Sequence, residues 1–448
     1  MGLVLAKPAA AANAVGTEHP ITDAPHGHIL TNVGVWSPDG RWIVYDVRSD
    51  AAGEKFDGAR IEAVNVETRE VRVLYESRNG AHCGVATFHP SLWQVVFIHG
   101  PERPTPDWSY GAFHRQGVLV DWERPGVNRP LDARDLVPPF TAGALRGGSH
   151  VHVFNAAGDR VSFTYEDHVL ATAAGATGAE RNLRNVGVSV VGHPVAVNPG
   201  HPRNHSGTAF TVLVTQTTDD PRPGSDEIQK AFEEGWIGTE GYRRPDGTRQ
   251  RYALAFQGHV RGMRGETNAE VFVVDLPDDL TVAGDVPLQG SALRRPGVPR
   301  GVVQRRLTHT ADRKHPGLQG PRHWLRSAPD GSSLGFLMKD DEGVAQLWTV
   351  SPNGGAPRQI TRSHEGVASA FTWSPDGRRV AHVMGGSVCV TSVADGTTRA
   401  LTGRVEGEGA PRPEACVFSP TGDRIAYVSR TPDGTGQMHN QIYVVPAN

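Results

Sequence analysis

Short β-rich runs recur along the chain, and each follows the same kind of polar break. Trp36-Ser37-Pro38-Asp39-Gly40-Arg41 returns as Trp373-Ser374-Pro375-Asp376-Gly377-Arg378. Related copies are Ser327-Ala328-Pro329-Asp330-Gly331 and Phe418-Ser419-Pro420-Thr421-Gly422-Asp423. Looser copies are Phe88-His89-Pro90-Ser91, Phe154-Asn155-Ala156-Ala157-Gly158-Asp159 and Val197-Asn198-Pro199-Gly200. Apolar or β-branched runs follow at 42–47, 94–99, 161–165, 333–338, 380–384 and 424–428. Proline pre-sets φ for a turn, and Asp-Gly supplies the side-chain cap and the positive φ. The unit is therefore strand, tight turn, strand.

Registered on the proline position, the copies fall at 38, 90, 156, 199, 329, 375 and 420. The usual step of about 40 to 50 residues is that of a four-stranded propeller blade. A second element repeats with it: Arg305-Arg306-Leu307-Thr308, Arg358-Gln359-Ile360-Thr361 and Arg399-Ala400-Leu401-Thr402. The chain opens on a similar piece, His19-Pro20-Ile21-Thr22, and ends after a third-strand-like run, 441–445. The expected fold is all-β: a seven-bladed β-propeller closed by an N-terminal strand, with six or eight blades as the alternatives. Closure removes the exposed edge of an open sheet. Residues 1–16 are expected as a disordered lead-in and 17–448 as one propeller domain. An insertion is expected at about 218–249, with a short helix over 226–234 capped by Ser225 and ended by Gly235.

Composition narrows the function classes. Of 448 residues, 38% are hydrophobic and 21% charged, enough for a packed core. A net charge of -3 gives no general reason to bind nucleic acid or an anionic membrane. No apolar stretch is long enough to span a bilayer as a helix, so no membrane insertion is expected. Cys83, Cys389 and Cys416 are isolated, which argues against a disulfide framework or a cysteine zinc site. The N-terminus lacks a basic segment followed by an apolar core, so the cytoplasm is expected, with the periplasm as the alternative.

The Ser-Pro-Asp-Gly turn and the Leu/Ile-Thr strand end resemble the Tol-type WD-like propeller repeats. The segment His82-Cys83-Gly84-Val85-Ala86-Thr87-Phe88-His89-Pro90, with 95–102 after it, is similar to a blade of the oligogalacturonate lyase-type propellers. A further resemblance, to a bacterial propeller family with Tol-like repeats, rests on His150-Val151-His152-Val153-Phe154 and on 315–324. The lyase resemblance implies a divalent metal, manganese first, held by three His and a Gln, with a separate His and an Arg for β-elimination. It implies a small acidic carbohydrate as substrate. The Tol resemblance implies instead a non-enzymatic scaffold with a protein or peptide partner in the funnel.

The 20 histidines recur upstream of the turns, where links between blades reach one mouth of the channel. Neutral imidazole suits Zn, Mn, Fe or Ni. The candidate metal ligands are His150, His152, Gln319, His323 and His364; alternation would place His150 and His152 on one face. Elimination beside a carboxylate needs a cation on that carboxylate and a base of near-neutral pKa. The candidates are His82 or His193 as base, and Arg322, Lys339 or Arg430 as carboxylate holder. His28, His99, His168 and Arg430 are expected to contact substrate. Trp108, Tyr110 and Trp236 are candidate sugar-stacking aromatics. His201 and His205 are four apart, but Pro202 and Asn204 argue against a helical zinc motif. Gly331-Ser332-Ser333-Leu334-Gly335 matches a nucleophile elbow in letters only, because it opens a strand and not a helix.

Overall fold

The computed structural model describes residues 18–51, 53–321 and 324–448. The expected lead-in and the candidates Arg322 and His323 lie outside the described residues. Seven antiparallel sheets follow one another in chain order, each with its strands side by side in sequence order. Their first strands begin at Gly27, Cys83, Gly147, Ile228, Arg326, Thr372 and Cys416. This is the expected seven-bladed propeller.

The seventh sheet has three strands from the C-terminal segment, ending in Met438–Pro446. The N-terminal segment supplies the fourth. Pro20 bridges Tyr443, and the Ile21 amide donates to the Ile442 carbonyl at 2.8 Å. Thr22 then accepts the Ile442 amide at 2.9 Å and donates its hydroxyl to Gln441 Oε1 at 2.7 Å.

Thr22 is one of a set. Thr308, Thr361 and Thr402, from the repeated strand end, accept the amides of Val271, Leu347 and Val388, each at 2.9 Å. Thr215 does the same for Val186 at 2.9 Å. The outer strands are short, four residues or fewer in blades four to six, so one hydroxyl per blade adds substantially to the ladder. The turns are equally regular. Ser37 Oγ donates to Asp39 at 2.6 Å and accepts the Trp42 amide at 3.0 Å, with Gly40 at φ +68°. Blade-to-blade contact also runs through polar groups. The indole N–H groups of Trp36, Trp236 and Trp373 each donate to a first-strand carbonyl of the preceding blade. Thr87 and Thr372 each donate to one of the following blade.

Two expectations fail. The segment 226–234 is not helical. Ile228–Trp236 is the first strand of blade four. Two bulges, between Ile228 and Ala231 and between Phe232 and Gly235, space its buried residues like one face of a helix. The turn of that blade is also not at Pro199. It lies at Pro245-Asp246-Gly247, in the hairpin where Tyr242–Arg243 pairs with Arg249–Gln250. Within 218–249 the chain therefore forms the first strand and first hairpin of blade four.

Apolar clusters fill the seams between blades. The seam of blades two and three is the poorest. Its cluster is Val96, Leu119, Leu131, Phe154, Val161 and Ala209. The other seams hold ten to fifteen buried apolar residues each. Polar side chains occupy the rest of that seam.

Ring closure makes a checkable demand. Thr22→Val keeps shape but strands the buried Gln441 oxygen and the Ile442 amide. Stability should fall by about 1–3 kcal/mol in urea unfolding, with the m-value unchanged. No change would remove Thr22 from the closure.

A candidate active cleft between blades two and three

The polar seam opens into a cleft of about 740 Å³. Three loops meet there: 100–115 from blade two, and 168–184 and 196–206 from blade three. Trp108 is its aromatic wall and is almost fully buried. His168, His201, Arg203 and Arg103 line it beside Trp108, with Glu102 and Asp107. Glu102 is turned to Asn79 Nδ2 at 3.0 Å.

The loops are held by buried charge. Arg134 is buried and donates to the carbonyls of Gly147 at 3.1 Å, His114 at 3.3 Å and Arg115 at 2.5 Å. Burial lowers its pKa to about 10, so it stays a cation near neutrality. The 112–115 stretch lies against Gly148, where a Cβ would meet the Ala112 carbonyl at 2.4 Å, so only glycine fits. His168 opens a single helical turn, His168–Thr172, whose N-cap Asp167 accepts the Leu170 amide. Arg146, fully buried, pairs with Asp167 at 2.5 Å. Arg203 reaches across to the carbonyls of Glu102 at 2.7 Å and Arg103 at 2.9 Å, tying blade three to blade two.

The imidazoles form a stack. His114 lies flat on Trp108, with ring centres 3.9 Å apart, and His168 meets Trp108 edge-on at 4.6 Å. His114 Nε2 and His168 Nδ1 are 3.0 Å apart, and His114 Nδ1 is 2.8 Å from the Ser109 carbonyl. His201 Nδ1 accepts the Arg203 amide at 3.1 Å. Burial, then the neighbouring His114, Arg134 and His201, push His168 down to about 4. Burial, with Arg134 and Arg203, lowers His114 and His201. The cleft thus offers neutral imidazoles, an aromatic face and cations.

Of the residues singled out from sequence, the structure brings His168 into this cleft together with Trp108. It does not gather the others around one point. His28 is buried and hydrogen-bonded to the Asn440 carbonyl at 2.8 Å; burial lowers it to about 3. His99 is buried against the Tyr75 hydroxyl at 2.9 Å and lowered to about 4. His82 is half-buried, edge-on to Tyr110. His193 is exposed near the end of Asn185–Val195, and His364 is exposed in a loop. Gln319 donates to the Pro316 carbonyl at 2.8 Å. Lys339 ends a blade-five strand, and Arg430 faces Glu408 at 3.9 Å.

The alternation expected to place His150 and His152 on one face is interrupted locally. A bulge between His150 and Val153, with Val151 at φ +59°, breaks the alternation. His152 is sealed in, its Nε2 on Ser149 Oγ at 3.0 Å, and Ser149 in turn donates to the buried Asp132 at 3.1 Å. Among the described residues, no three of His, Cys, Asp and Glu come together as a metal-holding group. The described residues therefore do not fit the manganese ligand set that the lyase resemblance implies.

A second cleft, of about 470 Å³, holds Arg294 and Arg295, but these are paired with Glu180 and Asp219, and no imidazole lines it. Nothing local in the sequence marks His114, Arg103 and Arg203, and the spacing of His201 from His205 argues only against a helical zinc motif. They come together only through the seam.

Residues 82–205, which contain every imidazole of the cleft, match the family model described as "Protein of unknown function (DUF3748)". Over 412 residues the chain is 46% identical to "Uncharacterized protein YidR" of Escherichia coli (strain K12), covering 91% of this chain and 94% of the relative. The chain belongs to the YidR family. In solved structures its fold is similar to "Oligogalacturonate lyase in complex with manganese", with a TM-score of 0.57 and 13% identity over 95% of this chain and 92% of that one. It is also similar to puromycin hydrolase, with a TM-score of 0.50 and 13% identity over 92% of this chain and 51% of that one. At these identities the likeness to both is one of fold. Among the described residues of this YidR-family chain, no helix is long and apolar enough to cross a membrane.

The enclosed imidazoles make a pH prediction. His28, His152 and His205 are lowered to about 3, and His99, His168 and His382 to about 4, all mainly by burial. Between about pH 6.5 and those values the unfolded chain binds more protons than the folded one, so stability falls as pH falls. Asp132 and Glu234, raised by burial to about 6 and about 7, act in the opposite sense, but they are two against six. The urea midpoint should therefore drop steadily below about pH 6.5. A midpoint flat from neutrality to pH 4 would contradict the buried neutral state.

Proposed function

We propose that this protein is a carbohydrate-active lyase that binds a uronate-containing oligosaccharide in the cleft between blades two and three. The observation that carries the reading is the wall of Trp108 with His168, His201, Arg103 and Arg203 around one opening. A carboxylate suits guanidinium groups. Arg103 is exposed and has no side-chain ion pair among the described residues, whereas Arg203 is engaged by Glu102 and Arg103 carbonyls. Arg103 is thus the available carboxylate holder. The shared fold with an oligogalacturonate lyase supports the substrate class.

The reaction needs one base and no redox partner. The imidazole takes the proton from the carbon beside the carboxylate. The C–H electron pair becomes the new C=C bond. The C–O bond to the next sugar breaks, and the departing oxygen takes a proton. Arg103 stabilises the charge that builds on the carboxylate. No step is routed through a metal, because the described donors do not assemble a site.

The test is incubation of the full chain with oligogalacturonates of defined length, with absorbance of the unsaturated product as readout. His168→Gln should lower kcat by about 100-fold or more. Arg103→Gln should raise KM by about tenfold with a smaller effect on kcat. No unsaturated product from any uronate oligosaccharide, with or without added manganese, would overturn the reading and turn attention to a protein partner in the funnel.

A further inference from the structure

The hydrogen bonds that hold the two cleft imidazoles fix which nitrogen of each carries the proton. A carbonyl oxygen can only accept. The Ser109 carbonyl, 2.8 Å from His114 Nδ1, therefore requires a proton on that nitrogen. Neutral His114 is then an acceptor at Nε2. His168 Nδ1, 3.0 Å away, must donate to it. The remaining nitrogen of His168, Nε2, is left with a lone pair and has no partner among the described residues.

The other side of the cleft runs the opposite way. The Arg203 amide can only donate, and it points at His201 Nδ1 at 3.1 Å. That nitrogen carries the lone pair, so neutral His201 holds its proton on Nε2. His201 Nε2 also has no partner among the described residues. Both rings line the same opening and both approach Trp108, at 4.6 Å and 6.1 Å between ring centres.

We infer that the cleft is polarised, with His168 Nε2 as its proton acceptor and His201 Nε2–H as its proton donor, and that His114 is the positioning residue that enforces the first. A ligand fits when it brings a donor hydrogen toward His168 and an acceptor oxygen toward His201. The assignment of base and acid rests on the lyase reading; the polarity itself does not. In that reaction His168 Nε2 takes the proton beside the carboxylate, and His201 Nε2–H donates a hydrogen bond to the departing oxygen. That oxygen takes its proton from water, and the His168 imidazolium returns its proton to the hydroxide so formed, which restores both rings and balances the cycle.

The neutral form of both rings is supported by their surroundings, since burial and the adjacent Arg134 and Arg203 disfavour imidazolium. The polarity also explains why His114 is stacked so closely on Trp108 although it does not line the cleft. Its task is the hydrogen bond to His168.

The experiment is two-bond proton–nitrogen correlation spectroscopy on the full chain, labelled with nitrogen-15 at histidine, near neutral pH without ligand. His168→Gln and His201→Gln identify the two signals by their loss. The expected result is the Nδ1–H tautomer for His168 and the Nε2–H tautomer for His201. His114→Phe keeps the ring on Trp108 but removes the acceptor, and should release His168 into a mixture of tautomers. His114→Gln, which keeps an acceptor oxygen, should restore the Nδ1–H form. The same tautomer in both cleft rings, or imidazolium in either, overturns the inference. So does a His168 signal unmoved by His114→Phe in a folded protein. If a variant at 168 does not fold, the signal moved by His114→Phe identifies His168 instead. Trigalacturonate then separates the two claims. Opposite tautomers without cleavage overturn the lyase reading alone, and cleavage with matching tautomers overturns the polarity alone.

Discussion

In five of the seven blades the outer edge depends on one threonine hydroxyl. An outer strand of two to four residues makes too few backbone bonds to hold a sheet edge by itself. The threonine just beyond it accepts an amide from the third strand and lengthens the ladder by one rung, at Thr308, Thr361 and Thr402, and Thr215 does so beyond the longer strand Gly207–Leu213. At Thr22 the same contact joins the two ends of the described chain. There it does more than extend an edge. Without it the seventh sheet would lack its outer strand, and Ile21 would leave the cluster of the last seam. The loops that build the cleft are placed by blades whose angles around the axis are set by this closure.

The many histidines have a structural explanation that shows which ones are left for chemistry. A neutral imidazole packs like an aromatic ring and offers one donor and one acceptor. His28 lies against Tyr45 and on the Asn440 carbonyl, His99 on Tyr75, His152 between Phe163 and Ser149, and His382 on Thr391. All four are buried with lowered pKa, and each makes its hydrogen bond inside the protein. His168 and His201 differ. Each makes one bond to the protein through Nδ1 and lines an opening.

The fold was legible because its signals are local. A Pro-Asp-Gly turn or a Leu-Thr strand end is decided by residues within a few positions of each other. Even so, Pro245-Asp246-Gly247 falls off the expected step, because the hairpin that contains it is longer than its counterparts. The strand Ile228–Trp236 read as a helix because its bulges, with Glu233 at φ +56°, replace the period of two. The cleft was legible only in part. Trp108 and His168 stood out as a loop aromatic and a strand-end imidazole. His201 was set aside because Pro202 forbids a helix, a sound argument against a zinc helix but not against a loop imidazole. His114 and Arg134 carry no local signal. Their roles arise from contacts across 20 residues within blade two and 54 residues to blade three.

The electrostatics of the cleft close the argument. Burial, and after it the neighbouring cations Arg134 and, for His201, Arg203, hold the imidazoles neutral in the free protein, and a base held at about 4 is weak. The same cations attract an anionic ligand. A carboxylate bound beside Arg103 adds a negative charge near His168, which favours its protonated form and raises its basicity where the proton must be taken. A neutral sugar of the same shape brings no such charge and leaves His168 weak. In the proposed reaction, binding and basicity are thus coupled through one charge, and discrimination for a uronate arises from the strength of the base as well as from the fit of the pocket.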